Sequence, residues 1–342
     1  NCSSLTHLDL GDKFDTNQVT NMFSMFENCT NLTGLNLGDK FDTNSVTNMS
    51  YMFKNCSNLT YLDLGDKFDI GNVKSTSSMF YNCNNLTSLN IGNKFDTSNV
   101  IVMNSMFYNC SKLTNLDLGY KFDTSNVTDM SSMFQKCSNL TTIYVSPLFV
   151  VTSVTSSSDM FTGDTKLVGG NGTVYNSRYK DKTYARIDTA ATPGYFTLKD
   201  GWVLMNRGSI GNPATHLLNQ QWSYYENGER KETGFYMLDD LYGIQQKYYF
   251  VNGIAQLGWL HYDGDYYYLS TEDDDGNGYV NAGAYRSETK VIDGVSYDFD
   301  SDGKCTNYNG TAFNTVGLNA NGGVVSPNII NVNTNSTIGT LP

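Results

Sequence analysis

Proline and histidine are scarce in this chain of 342 residues: five prolines, none before Pro147, and three histidines, at 7, 216 and 261. Three scattered imidazoles exclude a histidine metal centre. Tryptophan is missing from the first two hundred residues and appears at 202, 222 and 259. Only 16% of residues are charged, with 22 bases against 34 acids and a net charge of −12. So acidic a chain lacks the electrostatic footprint for nucleic acid or an anionic membrane surface. No apolar run approaches the roughly 18–20 residues that cross a bilayer as a helix. No Ser/His/Asp, Cys/His or phosphate-loop arrangement is visible, so no enzyme activity and no cofactor are expected. The chain begins at Asn1 without a Met or signal peptide, which reads as a piece of something longer.

What is present is a period. Cysteines stand at 2, 29, 56, 83, 110 and 137, each 27 residues after the last, and Asp164 takes the next place. Self-similarity at 20–30 residues means a solenoid. Three residues after each mark is a leucine, from Leu5 and Leu32 to Leu167. Six and eight after are Leu8 and Leu10, Leu35 and Leu37, Leu62 and Leu64, and so on to Ile143 and Val145. That L-x-x-L-x-L pattern predicts a strand buried on alternate residues. Further columns hold Phe (Phe14 to Phe149), Val (Val19 to Val154), Met (Met25 to Met160) and a second Phe (Phe26 to Phe161). Val, Met, Met and Phe recur at i, i+3, i+6 and i+7, helical spacings, although Thr76 and Ser157 interrupt the first Met column. Each coil is therefore expected to carry a strand, a turn and a short helix or 3₁₀ segment, stacked at roughly 5 Å.

Repeats such as NCSNLTYLDLGDKFD and NVTNMSYMFKNC resemble the BspA-type leucine-rich repeats of bacterial surface proteins. The tract at 167–198 resembles the segment that closes such arrays. The resemblance implies an α/β leucine-rich-repeat solenoid over 1–166 with a β-rich cap over 167–198. It also implies a place on the bacterial cell surface, often as an adhesin binding a host or matrix protein.

Side-chain columns divide into inner and outer. The Cys column reads as inward small hydrophobes in a uniform ladder of free thiols, leaving the core at Asp164. The Thr column (Thr6, Thr33, Thr60, Thr87, Thr114, Thr141) and the Asn before most cysteines (Asn28, Asn55, Asn82, Asn109) read as hydrogen-bond ladders. Lys13 to Lys121 and Asp15 to Asp123 form two neutralising columns on a solvated edge. The outward strand positions are expected to line a concave ligand face: His7, Tyr61 and Asn115 in one column, Asp9, Asp63, Asn90, Asp117 and Tyr144 in the next. In the second column Asp and Asn alternate, which spaces the acids. The N-terminal coil has no cap, again an expectation that the array extends upstream.

Past about residue 199 the pattern changes to aromatic pairs around Asn-Gly and Asp-Gly, as in KYYFVNGIAQLGW and HYDGDYYYL. These are hairpin signals, and they predict an all-β, aromatic-rich hairpin-repeat module over 199–308. The stretch is a degenerate resemblance of the choline-binding and glucan-binding cell-wall repeats. That resemblance implies aromatic cages between hairpins, here Trp222, Phe235, Trp259, Tyr262 and Tyr268, for glycan or cell-wall polymer rather than choline. The same aromatics also read as hairpin core. Two acidic stretches are weak metal candidates: Asp298, Asp300 and Asp302, which lack the expected acid at the twelfth loop position, and Asp273, Asp275 and Asn277. The uncharged, Asn/Thr/Gly-rich tail over 309–342 reads as linker, spacer or an extra strand pair. The expectation is a cell-surface binding protein with a glycan or protein partner, or else a structural spacer.

Overall fold

The computed structural model describes residues 2–38, 40–65, 68–92, 94–206, 221–226, 229–239, 245–270, 283–292, 294–308 and 330–332. The chain divides into two units, Asn1–Lys199 and Asp200–Pro342.

In the first unit each L-x-x-L-x-L segment supplies a short strand: β1 (His7–Asp9), β2 (Gly34–Asn36), β3 (Tyr61–Asp63), β4 (Ser88–Asn90), β5 (Asn115–Asp117) and β6 (Thr142–Val145). Successive strands lie parallel in a register of one coil, His7 opposite Gly34 and Leu8 opposite Leu35. The central leucine points inward and its neighbours outward, as a period of two requires.

The opposite wall corrects the expected fold class. It carries no helix: among the described residues the one helical element is a 3₁₀ turn at Lys182–Tyr184, outside the coils. The apolar Val-Met-Met-Phe spacing is instead carried by a ribbon of tight turns. Met25, Glu27 and Cys29 donate N–H three residues back, to Met22, Ser24 and Phe26. The alternate residues Met22, Ser24, Phe26 and Asn28 donate forward, to the carbonyls of Asn48, Ser50, Met52 and Lys54 in the next coil. A residue of positive φ every fourth place sustains this, Ser24 at 55° and Asn28 at 60°, with Ser78, Asn82, Ser105 and Asn109 following suit. A left-handed residue ends an α-helix, so the i→i−4 ladder never forms. Asn tolerates that conformation better than most residues. The first unit is therefore a β-solenoid.

Inside, one core runs the length of the stack, with Phe53, Phe80, Phe107, Met106, Leu113 and Val127 wholly buried. The ribbon phenylalanines stack at 5.4 to 5.7 Å, as in Phe26–Phe53 and Phe107–Phe134. The phenylalanines after the strands stack more widely, Phe68–Phe95 at 6.4 Å.

All seven cysteines are free. Cys56, Cys83, Cys110 and Cys137 each donate Sγ–H to a ribbon carbonyl (Phe26, Phe53, Phe80, Phe107) at 3.0 to 3.2 Å. Burial, and secondarily the neighbouring thiol, pushes Cys56 up to about 12 and Cys83 and Cys110 well above the usual thiol range, so these thiols are inert. The column does not leave the core at its seventh place. Asp164 is wholly buried, and burial raises its pKa to about 9 against a weak opposing pull from the Cys137 N–H. Neither carboxyl oxygen makes a full hydrogen bond. The chain keeps Asp164 protonated rather than turning it to solvent, because the coil geometry that precedes it is already set.

The Asn ladder runs as expected: the side-chain amides of Asn55, Asn82 and Asn109 donate to Asn28, Asn55 and Asn82 at 2.7 to 3.0 Å. The hydroxyls of Thr33, Thr87 and Thr141 donate to the carbonyls of Thr6, Thr60 and Thr114. Residues 167–198 close the stack. There β7 (Phe196–Leu198) pairs parallel with β6. Phe196 and Tyr195 meet Phe149 and Phe161 edge-on rather than stacked, which ends the aromatic column. Asp188 ties the cap together by accepting N–H bonds from Asn171, Thr173 and Gly194 and the Thr173 hydroxyl.

The second unit consists of antiparallel strands: β8 (Gly201–Asn206), β9 (Gln221–Glu226), β10 (Glu229–Arg230), β11 (Gly234–Asp239), β12 (Gln245–Val251), β13 (Ile254–Ala255), β14 (Gly258–Tyr262), β15 (Asp265–Leu269), β16 (Glu288–Ile292) and β17 (Val295–Phe299). Asn252-Gly253 and Asp263-Gly264 turn the chain with positive φ at both residues, the twist-matched hairpin turn. From the tail, β18 (Ile330–Val332) adds in parallel to β14.

Candidate functional site

The outward strand positions form the exposed ladder predicted from the sequence, but most of their polar atoms serve the coil. Asp9, Asn36, Asp63, Asn90 and Asp117 each accept, through Oδ1, the N–H two residues on, at 2.8 to 3.1 Å. Those N–H groups belong to Gly11, Gly38, Gly65, Gly92 and Gly119, all with φ between 62° and 74°. Such Asx turns need a residue free to adopt left-handed φ. The sequence carried this signal as Asp/Asn-x-Gly at a fixed place in the first five coils, the sixth having Tyr144-Val145-Ser146 there, and it is the structural element that column reading had missed. The alternation of Asp and Asn has a second consequence. Asn36 donates to Asp9 at 3.1 Å and Asn90 to Asp63 at 3.0 Å. Asp117 is instead paired with Lys199.

Four residues add exposed surface. Tyr61 is 54% exposed and Tyr144 36%. The Tyr61 hydroxyl donates to Asp63 Oδ2 at 3.1 Å, and that bond, with the nearby carboxylate, raises the Tyr61 pKa. The His7 ring lies over Gly34, where a Cβ would stand 2.9 Å from the His7 ring carbon Cδ2. Asn115 donates to the Thr114 hydroxyl at 3.4 Å. With no helical wall opposite, the physical ground for expecting this face to be concave is gone: a helix is about 10 Å wide, a strand spacing about 4.8 Å.

The aromatic candidates of the second unit fall into separate clusters. Trp222 is buried and meets Trp202 at 6.4 Å. Phe235 and Tyr262 meet edge-to-face at 5.2 Å in one cluster. Trp259 and Tyr268 meet at 5.1 Å in another, with Tyr297 and Phe299. Trp259 is 2% exposed. The cation seat of the Phe235 cluster is taken by the chain itself: Lys247 Nζ stands 4.5 Å from the Phe235 ring centre and 4.9 Å from that of Tyr267. Partial burial lowers the Lys247 pKa.

Among the described residues no group of three His, Cys, Asp or Glu side chains is placed to hold a metal. Asp300 Oδ1 instead accepts the N–H groups of Asp302 and Lys304, and Asp298 accepts from Thr289 and Asn307. Asp273, Asp275 and Asn277 lie outside the described residues. No described helix is long and apolar enough to cross a membrane.

A 27-residue, all-β coil with this column order defines a repeat family. The model of the family described as "Mycoplasma protein of unknown function, DUF285" matches residues 1–114 and 86–185. Together these span just over half of the chain, and the chain belongs to that family. No curated protein matches it.

Proposed function

We propose that the chain is a bacterial cell-surface binding protein whose strand face meets a host or matrix protein or a glycan. The observation that carries this reading is the contrast within the strand ladder. Inward positions repeat almost unchanged, while the outward column runs His7, Gly34, Tyr61, Ser88, Asn115, Thr142, with Tyr61 and Tyr144 standing exposed. Tyrosine, with a broad ring and a hydroxyl, is enriched where proteins bind partners. The resemblance of the repeats to bacterial surface proteins of the BspA type supports the extracellular placement. Five thiols in a buried column, Cys29 to Cys137, fit an oxidising compartment as well as a reducing one. In this reading the second unit contacts cell-wall polymer or glycan, in line with its resemblance to cell-wall repeats. Quaternary ammonium is disfavoured as its ligand, since Lys247 holds the cation seat.

A second reading, a spacer with no ligand of its own, is favoured by one observation: Asp9, Asp63, Asn90 and Asp117 spend their carboxyl or amide oxygens on the turns. Binding of wild type and of the Tyr61→Ser/Tyr144→Ser variant to immobilised matrix proteins and a glycan array separates the two. Loss of a wild-type signal in the variant supports the binding reading. Absence of any wild-type signal supports the spacer.

A further inference from the structure

The two walls of the solenoid are not closed alike. On the ribbon wall all five coil interfaces carry the forward bonds, from Met22–Asn48 to Lys136–Thr162. The parallel bridges there run unbroken through Asn21, Asn48, Ser75, Val102, Asp129 and Ser156. On the strand wall the sheet is broken into β1–β2, β3–β4 and β5–β6–β7. Where it is closed, Thr33 N–H donates to Thr6 O at 2.8 Å and Leu10 N–H to Asn36 O at 3.0 Å. One coil on, between β2 and β3, the equivalent bonds (Thr60 to Thr33, Leu37 to Asp63) are not formed. Between β4 and β5 those of Thr114 to Thr87 and Ile91 to Asp117 are likewise missing.

The Asp/Asn column explains where the breaks fall. Asn36 and Asn90 close their interfaces by donating to the Asp of the coil before. Asp63 and Asp117 follow an Asn and, as carboxylates, have no proton to donate. The last pair closes without an Asn, where β7 extends the sheet. Each break leaves amides of one strand and carbonyls of the next without that pairing, with a threonine hydroxyl on the same residue. The second break opens into a cavity of about 110 Å³ lined by Asn90, Ile91, Gly92, Asp117, Gly119 and Lys199. That is several times the space a single water takes. Beside the first stands the exposed ring of Tyr61.

We infer that these two open seams are the ligand-binding elements of the strand face and that they take the hydroxyl edge of a saccharide. The inference rests on the binding reading above and names its ligand class. A hydroxyl both donates and accepts, so one polyol edge satisfies the N–H and the C=O of a seam together. A cation would leave the N–H groups unmet, and an apolar group would leave both. A free sugar and a polymer end share this chemistry.

Amide exchange and titration with maltohexaose, cellohexaose, xylohexaose and chitohexaose test it. In the wild type, Leu37, Thr60, Ile91 and Thr114 amides exchange faster than Leu10, Thr33, Leu64 and Thr87, and at least one oligosaccharide slows them. The Asp63→Asn/Asp117→Asn variant closes both seams, slows those amides without sugar, and weakens sugar binding about tenfold or more. Asn90→Asp, by removing the donor between β3 and β4, speeds exchange at Leu64 and Thr87; this reads the seam mechanism apart from any sugar–carboxylate contact. Equal exchange at the two sets, or unchanged affinity in the double Asn variant, overturns the inference. So does a failure of all four saccharides to protect the seam amides. If a matrix protein binds through Tyr61 and Tyr144 while the seam amides stay unprotected, the inference falls and the proposed function stands.

Discussion

The ribbon wall and the strand wall are built from the same coils, yet one is zipped throughout and the other only in pairs. On the ribbon the bonds that join one coil to the next are backbone bonds, with side chains such as Asn21, Asn48 and Asp129 taking single N–H groups within a coil. The strand wall's closure follows a side-chain column: Asn closes the β1–β2 and β3–β4 interfaces, and the β5–β6 pair beside β7 closes without one. Uniformity therefore belongs to the wall governed by backbone, and variation to the wall governed by side chains.

The largest test of that contrast removes core from each wall. Phe107→Ala, in the middle of the ribbon stack and wholly buried, is expected to cost about 3–5 kcal/mol, read from the urea midpoint. Leu89→Ala, half-buried beside an open seam, is expected to cost only about 1–2 kcal/mol, because its side chain already stands partly open to solvent. Equal losses would erase the distinction between the walls.

Next in size is Asp164→Cys, which restores the thiol column. An unfolded carboxyl titrates near 3.9, while the folded one titrates at about 9. Below about pH 4 both states are protonated and nothing is lost. As pH rises towards 9 the unfolded chain gives up a proton that the fold retains, so wild-type stability falls. The variant should be steadier, by on the order of 3–4 kcal/mol at pH 7, and should lack that part of the pH slope. A wild type whose melting temperature is flat from pH 5 to 9 would contradict a buried, protonated Asp164.

Smaller again is Asn82→Ala. It removes two ladder bonds, to Asn55 and from Asn109, and puts a Cβ-bearing residue with no local hydrogen bond at φ 58°. A loss of about 2 kcal/mol is expected, with the solenoid retained by circular dichroism. A loss below about 0.5 kcal/mol would mean the backbone alone holds the ribbon.

Much of this was legible in the residues. A period shared by Cys, Leu, Phe and Met admits only a stack, and the inward columns are the buried ones. Asn-Gly and Asp-Gly between aromatic runs marked two hairpin turns that the structure forms. The error lay in the ribbon. Apolar spacing reports which side chains share a face, and a left-handed residue every four places can hold the same face as a helix. Asn28, Asn55, Asn82 and Asn109, together with Ser24, Ser78 and Ser105 in the supposed helix, were the warning, since such residues disfavour helix interiors. Asp164 misled for another reason: an acid in an apolar column suggests exposure, but the cap folds over it and raises its pKa instead. The strand-face candidates were placed correctly on the surface. Their engagement in turns was hidden because it depends on a glycine two residues away rather than on the strand.

Within the ribbon's turns the inter-coil bonds run one way, Met22, Ser24, Phe26 and Asn28 donating to the following coil, while at the ribbon's entry Thr47, Lys74, Ile101, Thr128 and Thr155 donate back to the preceding one. Across the turn segments, then, peptide dipoles add along the array. In the last coil the cap carbonyl of Lys180 receives the Phe161 amide. Stripped of that closure, the last coil would present its turn amides without a partner. The cap is thus a polarity stop as well as a lid over the core.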